Sequence, residues 1–311
     1  MKYHNPIITG FHPDPSVCRV GNDFYLVNSS FEYFPGIPIY HSTDLTHWEQ
    51  IGHVLDRKNQ LKLVSGAPNC LGIYAPTIRY HEGIFYCIVT NVGGRSEGNF
   101  FVYTTDPYGR WSNPVKLPFA GIDPSLFFDE DGRIYYTGTD TGIYIAEITF
   151  DVVRNDTPKR NELPVSIQNV KCGEKHYIWN GSGGNNPEGP HLYRIHDMYY
   201  LMIAEGGTEY CHMVTIARSK NVYGPYEACP HNPVLSNRST CLNIKAVGHA
   251  DLVEDSQGSW WAVCLGIRPL GYPFRHNLGR ETMLAPVKWE NGWPVMGDNG
   301  TVTETFEVET A

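Results

Sequence analysis

The sequence contains no long apolar run, no cluster of basic residues and no sustained helical periodicity. No stretch approaches the ~20 apolar residues of a membrane span, and the first residues lack the apolar core of a secretion signal. With 24 basic and 33 acidic residues and no run of like charge, the chain has no basic stripe for a phosphate backbone. We therefore expect no membrane span, no nucleic-acid partner and a cytoplasmic location.

Closely spaced cysteines are also missing. The eight cysteines are never closer than 12 residues in the sequence, which excludes the CxxC spacing of a zinc knuckle. Cys87 lies inside an apolar run, as expected for a buried thiol. In the absence of a secretion signal we expect free thiols rather than disulfides, and no zinc site.

The residues that are abundant favour β-structure. The 20 Tyr, 13 Phe and 7 Trp suit a pleated, half-buried surface, while 31 Gly and 22 Pro supply frequent turns. A length of 311 residues fits either two average domains or one closed all-β domain. A neutral, hydroxyl-rich ligand such as a sugar is compatible with this composition.

Five degenerate repeats run along the chain. They begin at intervals of 48 to 65 residues, at Asp14, Ala75, Asp123, Glu188 and His249. In each repeat an apolar stretch and a polar turn lead to an aromatic pair, namely Phe24-Tyr25, Phe85-Tyr86, Tyr135-Tyr136, Tyr199-Tyr200 and Trp260-Trp261. This pattern predicts that each repeat opens with a β-hairpin.

A second signature follows in several repeats and predicts an outer hairpin. It comprises Ser42-Thr43-Asp44-Leu45 with Trp48, Thr105-Asp106-Pro107 with Trp111, and Ser219-Lys220-Asn221 with Gly224-Pro225-Tyr226. Four strands repeated five times, without helices between them, predict an all-β, five-bladed β-propeller. In a propeller the innermost strands line the central channel, so the five repeat starts should meet at one mouth.

Three carboxyl groups and an imidazole in one mouth are costly, because like charges repel and each loses water. An isolated Asp-Pro pair is usually turn chemistry, and we assign Asp106-Pro107 to a turn. For Asp14 and Asp123, the shared repeat position with Glu188 favours a functional role.

In these segments the sequence resembles glycoside hydrolase family 43, the inverting β-xylosidases and α-L-arabinofuranosidases. The resemblance extends nearly end to end. It rests on Asn5-Pro-Ile-Ile-Thr-Gly-Phe-His-Pro-Asp-Pro-Ser16, Phe31-Glu-Tyr-Phe-Pro-Gly36, Gly72-Ile-Tyr-Ala-Pro76, Asp123-Pro-Ser125, Pro187-Glu-Gly-Pro-His191, Ala204-Glu-Gly-Gly-Thr208, Gly248-His-Ala250 and Gly279-Arg-Glu-Thr282.

The resemblance implies a catalytic role for each of the three carboxyl groups. Asp14 would be the general base and Glu188 the general acid, while a negative Asp123 would orient the acid and raise its pKa. Inverting hydrolysis requires one carboxylate that deprotonates water and one protonated carboxyl that protonates the leaving oxygen. The expected activity is exo-acting release of β-D-xylose or α-L-arabinofuranose from xylan, arabinoxylan or arabinan fragments, with an oligosaccharide as substrate.

The resemblance also implies sugar-binding residues and a metal. Phe31, Tyr74 and Thr208 would line the sugar pocket, and Arg268 would bind sugar hydroxyls unless it forms a structural salt bridge. His249 matches a histidine that in many relatives points along the axis toward a bound ion, often calcium with water in the other positions, although calcium prefers oxygen ligands. No cofactor is expected to be required, and a calcium near the axis would be structural.

Many relatives continue beyond Gly292-Trp-Pro294 into a β-sandwich. This sequence ends at Ala311, so we expect one catalytic propeller over residues 1–311 without that sandwich. Two other functions remain open at this point. One is an endo-arabinanase, which shares the propeller but needs an open groove, and the other is a propeller that binds carbohydrate without turnover.

Overall fold

The computed structural model describes residues 2–61, 68–93 and 98–308. Within these ranges all regular secondary structure is β-strand. The same residues contain no helix that could cross a membrane.

The strands form five antiparallel sheets arranged as blades. Strand β1 (Lys2–His4) precedes the first blade, which contains β2 (Ser16–Val20), β3 (Asp23–Val27), β4 (Gly36–Ser42) and β5 (Glu49–Leu55). The second blade contains β6 (Gly72–Ile73), β7 (Thr77–His81), β8 (Ile84–Val92), β9 (Gly98–Thr104) and β10 (Val115–Lys116). In the third are β11 (Ile122–Phe128), β12 (Ile134–Thr139), β13 (Ile143–Arg154), β14 (Val165–Cys172) and β15 (His176–Trp179).

The last two blades have four strands each. The fourth contains β16 (Glu188–Ile195), β17 (Met198–Glu205), β18 (Met213–Ser219) and β19 (Glu227–Ala228), and the fifth β20 (Lys245–Glu254), β21 (Trp260–Ile267), β22 (Glu281–Glu290) and β23 (Trp293–Met296). Strand β24 (Thr305–Glu307) follows the last blade. The predicted five-bladed propeller is confirmed.

The inner hairpin of every blade lies where the repeats predict it. The five pairs are β2–β3, β7–β8, β11–β12, β16–β17 and β20–β21, and each aromatic pair lies in the second strand. The outer signatures occupy turns, as predicted. Asp106 is one of these turn residues, because its carboxylate accepts a hydrogen bond from the Tyr108 backbone N–H at 3.0 Å.

Apolar side chains fill the spaces between neighbouring blades. Between the first and second blades, Val27, Ile39, Ile78 and Cys87 are completely buried. Because both faces of each sheet are covered in this way, the sequences of the inner strands consist of nearly continuous apolar residues. All eight cysteines are free thiols.

A polar network ties the five inner strands together around the axis. Asp251 of β20 accepts hydrogen bonds from the Ser16 hydroxyl at 2.6 Å and from Arg79 at 2.7 Å. The same guanidinium lies 2.9 Å from Nδ1 of His191, which lies 3.2 Å from the Ser125 hydroxyl. One residue from each inner strand takes part, so the strands converge as the repeats predict.

Pairing between the two ends of the chain joins the first and fifth blades. Strand β1 pairs with β24, with Lys2 opposite Glu307. The Asn5 side chain bonds the backbone N–H and carbonyl of Leu284 in β22, at 2.8 and 2.9 Å. The N-terminal segment therefore docks onto the fifth blade before the chain enters the first.

Candidate active site

A cavity of about 220 Å³ opens at one end of the axis. All five repeat starts contribute to its wall, namely Asp14, Ala75, Asp123, Glu188 and His249. The rest of the wall comes from Phe31, Cys70, Tyr74, Ile122, Thr208 and Arg280. The structure thus gathers the three predicted acids, one from each of three blades, in one small space.

The backbone is strained where the acids and the axial histidine enter the cavity. Asp14, Asp123 and His249 have φ angles of 53°, 52° and 47°, in the left-handed region that ordinary residues seldom adopt. The ladders of β11, β16 and β20 also shift register near these starts. Such bulges re-aim side chains, and here they turn them toward the axis.

Asp14 is buried in surroundings that favour its ionised form. Its carboxylate accepts hydrogen bonds from Arg280 Nη1 at 3.0 Å and from the Ser29 hydroxyl at 2.5 Å, and His249 Nδ1 lies 4.0 Å away. Burial alone would raise the pKa of Asp14, but Arg280, His249 and Ser29 more than offset that effect and lower it. Asp14 is therefore ionised at neutral pH.

Glu188 has the opposite electrostatic character. Burial, followed by the negative charge of Asp14, raises the pKa of Glu188 to about 7, although Arg280 opposes the shift. A carboxyl group with this pKa retains a proton for much of the time near neutral pH. One cavity therefore holds an ionised carboxylate and a carboxylic acid, the combination that acid–base catalysis requires.

Asp123 is a third buried carboxyl group beside Glu188, and its role in raising the pKa of Glu188 stays a prediction. Burial and then the charges of Glu188 and Asp14 raise the pKa of Asp123 itself, although the Gly189 backbone N–H donates a hydrogen bond to it at 3.1 Å. Asp14 also raises the pKa of Glu188. Asp123 and Glu188 therefore compete for protons, and their titration belongs to the pair.

Two glycines allow two histidine rings to approach the site closely. A Cβ on Gly189 would lie 3.0 Å from the His249 ring, and Gly189 has φ 59°. A Cβ on Gly248 would lie 2.5 Å from the ring of His212. Any larger residue at either position would displace a ring that faces an acid.

The calcium ion that the resemblance implies at His249, with water in its other coordination positions, stays a prediction. Calcium takes six to eight oxygen ligands. No group of three or more His, Cys, Asp or Glu side chains in the described ranges is arranged to hold a metal. Along the axis, the buried Arg79 guanidinium already pairs with Asp251 and supplies a positive charge. His249 also acts on Asp14, whose pKa it helps to lower.

The predicted aromatic wall and the predicted loop residue both line the cavity. The rings of Phe31 and Tyr74 lie 5.5 Å apart, and the Arg280 guanidinium lies 5.4 Å from the Phe31 ring. Backbone bonds between Phe31 and Ile73 at 2.8 and 3.0 Å fix this wall. Thr208 contributes from the loop after β17.

Arg268 is not in the cavity, and the structure places it in the salt bridge that was the alternative interpretation. Its Nε and Nη2 donate to the fully buried carboxylate of Glu281 at 2.7 and 3.0 Å. Leaving this carboxylate unpaired would be costly. The cavity's arginine is instead Arg280, which precedes Glu281 in the chain.

Two residues close to the acids had no role in the sequence analysis. Arg280 lies in the Gly279-Arg-Glu-Thr282 segment that supports the family resemblance, so the signal for it was present. His212 lies outside the repeat starts, although its Nε2 is 3.9 Å from Oε1 of Glu188. Only the packing of β18 against the fifth blade brings it there.

The fold and this cluster of acids define the class, a propeller with the carboxyl groups of a glycosidase. Residues 3–294 match the family model described as "Glycosyl hydrolases family 43". The chain belongs to glycosyl hydrolase family 43.

Several curated relatives and solved structures are similar over nearly the whole chain. A non-reducing end alpha-L-arabinofuranosidase of Bacteroides ovatus is 49% identical over 98% of this chain and 55% of its own length. A xylosidase/arabinosidase of Butyrivibrio fibrisolvens is 46% identical over 98% of this chain and 59% of its own. The chain thus spans little more than half the length of these relatives.

The structural similarity covers the same extent. A Bacteroides ovatus structure titled as a xyloglucan-locus family 43 protein has a TM-score of 0.86 at 47% identity, covering 98% of this chain and 58% of that one. A Bacillus licheniformis family 43 structure has a TM-score of 0.85 at 39% identity, covering 99% of this chain and 58% of that one.

Proposed function

We propose that the chain is an exo-acting, inverting glycoside hydrolase that releases single pentoses from plant polysaccharide fragments. The sugar is β-D-xylose, α-L-arabinofuranose or both, in line with the names of the relatives at 46% and 49% identity. The natural fragments would come from xylan, arabinoxylan or arabinan.

The pKa contrast between Asp14 and Glu188 carries this proposal. Asp14 is held ionised, as a general base must be, and Glu188 has a pKa of about 7, as a general acid at neutral pH must have. A propeller that only binds carbohydrate would have no use for buried carboxyl groups in opposite protonation states.

In the proposed reaction Asp14 accepts a proton from water as the water oxygen attacks the anomeric carbon. Glu188 donates its proton to the departing glycosidic oxygen on the opposite side of the sugar, so the bond to the leaving group breaks as the bond to water forms. Asp14 ends protonated and Glu188 ionised, and exchange with solvent restores both. Asp123 holds the Gly189 backbone and so orients Glu188.

The size of the cavity supports exo action. At about 220 Å³ it is smaller than the roughly 300 to 1,000 Å³ of pockets for drug-sized ligands, which suits one monosaccharide. The wall formed by Phe31 and Tyr74 packs against that space. An endo-arabinanase would instead need room for several sugars on both sides of the cleaved bond.

Incubation with nitrophenyl β-D-xyloside and nitrophenyl α-L-arabinofuranoside tests the proposal. We expect nitrophenol release from at least one of them, and loss of release in Asp14→Ala purified in parallel. Linear arabinan and longer linear xylo-oligosaccharides provide the second readout, since exo action releases only single sugars from them. Binding without release would contradict the proposal, as would oligomeric products from arabinan.

A further inference from the structure

His212 is buried beside the acid, and its ring nitrogens are poorly satisfied. It is 1% exposed, and neither ring nitrogen has a partner at normal hydrogen-bond geometry in the described structure, although the ring forms a weaker hydrogen bond with the Ala246 backbone. Leaving a buried polar group without a good partner is costly, so such a residue needs an explanation. The ring packs closely against Gly248, which limits its freedom to turn away.

The nearest acid to this ring is Glu188. Nε2 of His212 lies 3.9 Å from Oε1 of Glu188, about 1 Å longer than a hydrogen bond. Catalytic hydrogen bonds are often long in the absence of substrate and tighten in the complex. A small rotation of the Glu188 side chain would close this gap.

The ring is neutral, so the contact is not an ion pair. Burial, followed by the positive charge associated with His249, lowers the pKa of His212 to about 3, although Asp14 and the backbone of Ala246 oppose this shift. A neutral imidazole offers one N–H and one lone pair. A protonated carboxyl group also offers one donor and one acceptor, so the two groups are complementary.

We propose that His212 is a positioning residue for Glu188, in which Nε2–H donates a hydrogen bond to one carboxyl oxygen so that the proton on the other oxygen points at the glycosidic oxygen. This inference rests on the proposed function, in which Glu188 is the general acid. His212 itself contacts neither the sugar nor the transferred proton. The absence of a well-formed bond at Nε2 in the substrate-free enzyme is explained by a bond that forms when Glu188 moves into place.

The proposal makes the need for His212 depend on the leaving group. A dinitrophenolate departs with little protonation, whereas a phenolate needs a well-aimed proton. Misplacing a catalytic group by about 1 Å can cost on the order of 100-fold in rate. Removing the ring nitrogens should therefore slow the phenyl glycoside far more than the dinitrophenyl glycoside.

The test measures kcat for these two glycosides in His212→Phe and His212→Gln, using the pentose that the wild type hydrolyses faster. We expect His212→Phe to lose about 100-fold on the phenyl glycoside and little on the dinitrophenyl glycoside. His212→Gln, whose amide can replace the contact, should recover much of the loss. Cys211→Ser, at the exposed neighbouring position, is the control and should match the wild type.

Equal losses on both substrates in His212→Phe would overturn the proposal, and so would a failure of Gln to recover the phenyl rate in a folded variant. If His212→Phe does not fold, the two rates of His212→Gln decide: a rate much closer to wild type on the dinitrophenyl glycoside than on the phenyl glycoside supports the proposal, and equal losses on both overturn it. A wild type inactive on both glycosides would contradict the proposed function instead, so the two failures are distinguishable.

Discussion

Arg280 Nη1 lies 3.0 Å from Oδ1 of Asp14, and this pairing offsets the effect of burial on the base. The guanidinium also acts on Glu188, where it opposes the upward shift of the pKa that burial and Asp14 cause. One cation therefore adjusts both groups that the proposed reaction uses.

We expect Arg280→Gln to shift both limbs of the pH profile of kcat/KM to higher pH. Without Arg280 the pKa of Asp14 rises, so the base becomes protonated at a higher pH and the acid limb moves up. The pKa of Glu188 also rises from about 7, which moves the alkaline limb in the same direction. The pH profile of kcat/KM measures this shift, because it reports the pKa values of the acid and the base in the free enzyme.

Arg268→Gln is the matched control for this experiment. It removes the partner of the buried Glu281 carboxylate, so it should lower the melting temperature without moving either limb. Unshifted limbs in Arg280→Gln would show that the electrostatic assignment of Asp14 is wrong.

The second prediction separates the acid from the base. Glu188→Ala should slow a substrate with a poor leaving group by about 100- to 10,000-fold, and one with an activated phenol much less. Asp14→Ala should slow both substrates alike, because the attacking water is no longer deprotonated. Steady-state kcat on phenyl and dinitrophenyl glycosides measures this difference. The opposite pattern would exchange the two roles.

The third prediction concerns stereochemistry. The first sugar released should have the anomeric configuration opposite to that of the substrate, because water attacks the face opposite the leaving group. Proton NMR in the first minutes of reaction, before mutarotation, detects it. A product with retained configuration would make one of the carboxylates a nucleophile.

The fourth prediction concerns the axial network below the cavity. Burial would raise the pKa of Asp251, but Arg79 and His191 hold it far below the usual range. Since a lowered pKa stabilises the fold at neutral pH, Asp251→Asn should cost about 3 to 5 kcal/mol in the free energy of unfolding at pH 7. Urea denaturation measures this loss. Asp106→Asn, in an exposed outer turn, should change little by comparison.

Much of the fold and the three acids could be predicted from the sequence, because both follow from the repeat. The aromatic pairs mark the second strand of each inner hairpin, and the repeat starts include Asp14, Asp123 and Glu188. The calcium at His249 was predicted by resemblance and stays a prediction. The cytoplasmic location stays a prediction.

The choice between two arginines could not be made from the pattern alone. Arg280 occupies a bend and Glu281 begins β22, and the two neighbouring side chains enter different surroundings. Arg280 lines the cavity, whereas Glu281 is buried and holds Arg268. Nothing local in the sequence says which of these arginines reaches the cavity. The same limit applies to His212, whose place beside Glu188 depends on packing between two blades.

Because β1 pairs with β24, the blade that comes first in the sequence could be changed without altering how the five blades pack around the axis. Lys2 and Glu307 already face each other, so a short linker could join these two strands. New ends could then be opened in the exposed segment 156–161, between β13 and β14 at the outer edge of the third blade. Such a circular permutant would begin and end in a different blade yet bring the same three carboxyl groups together.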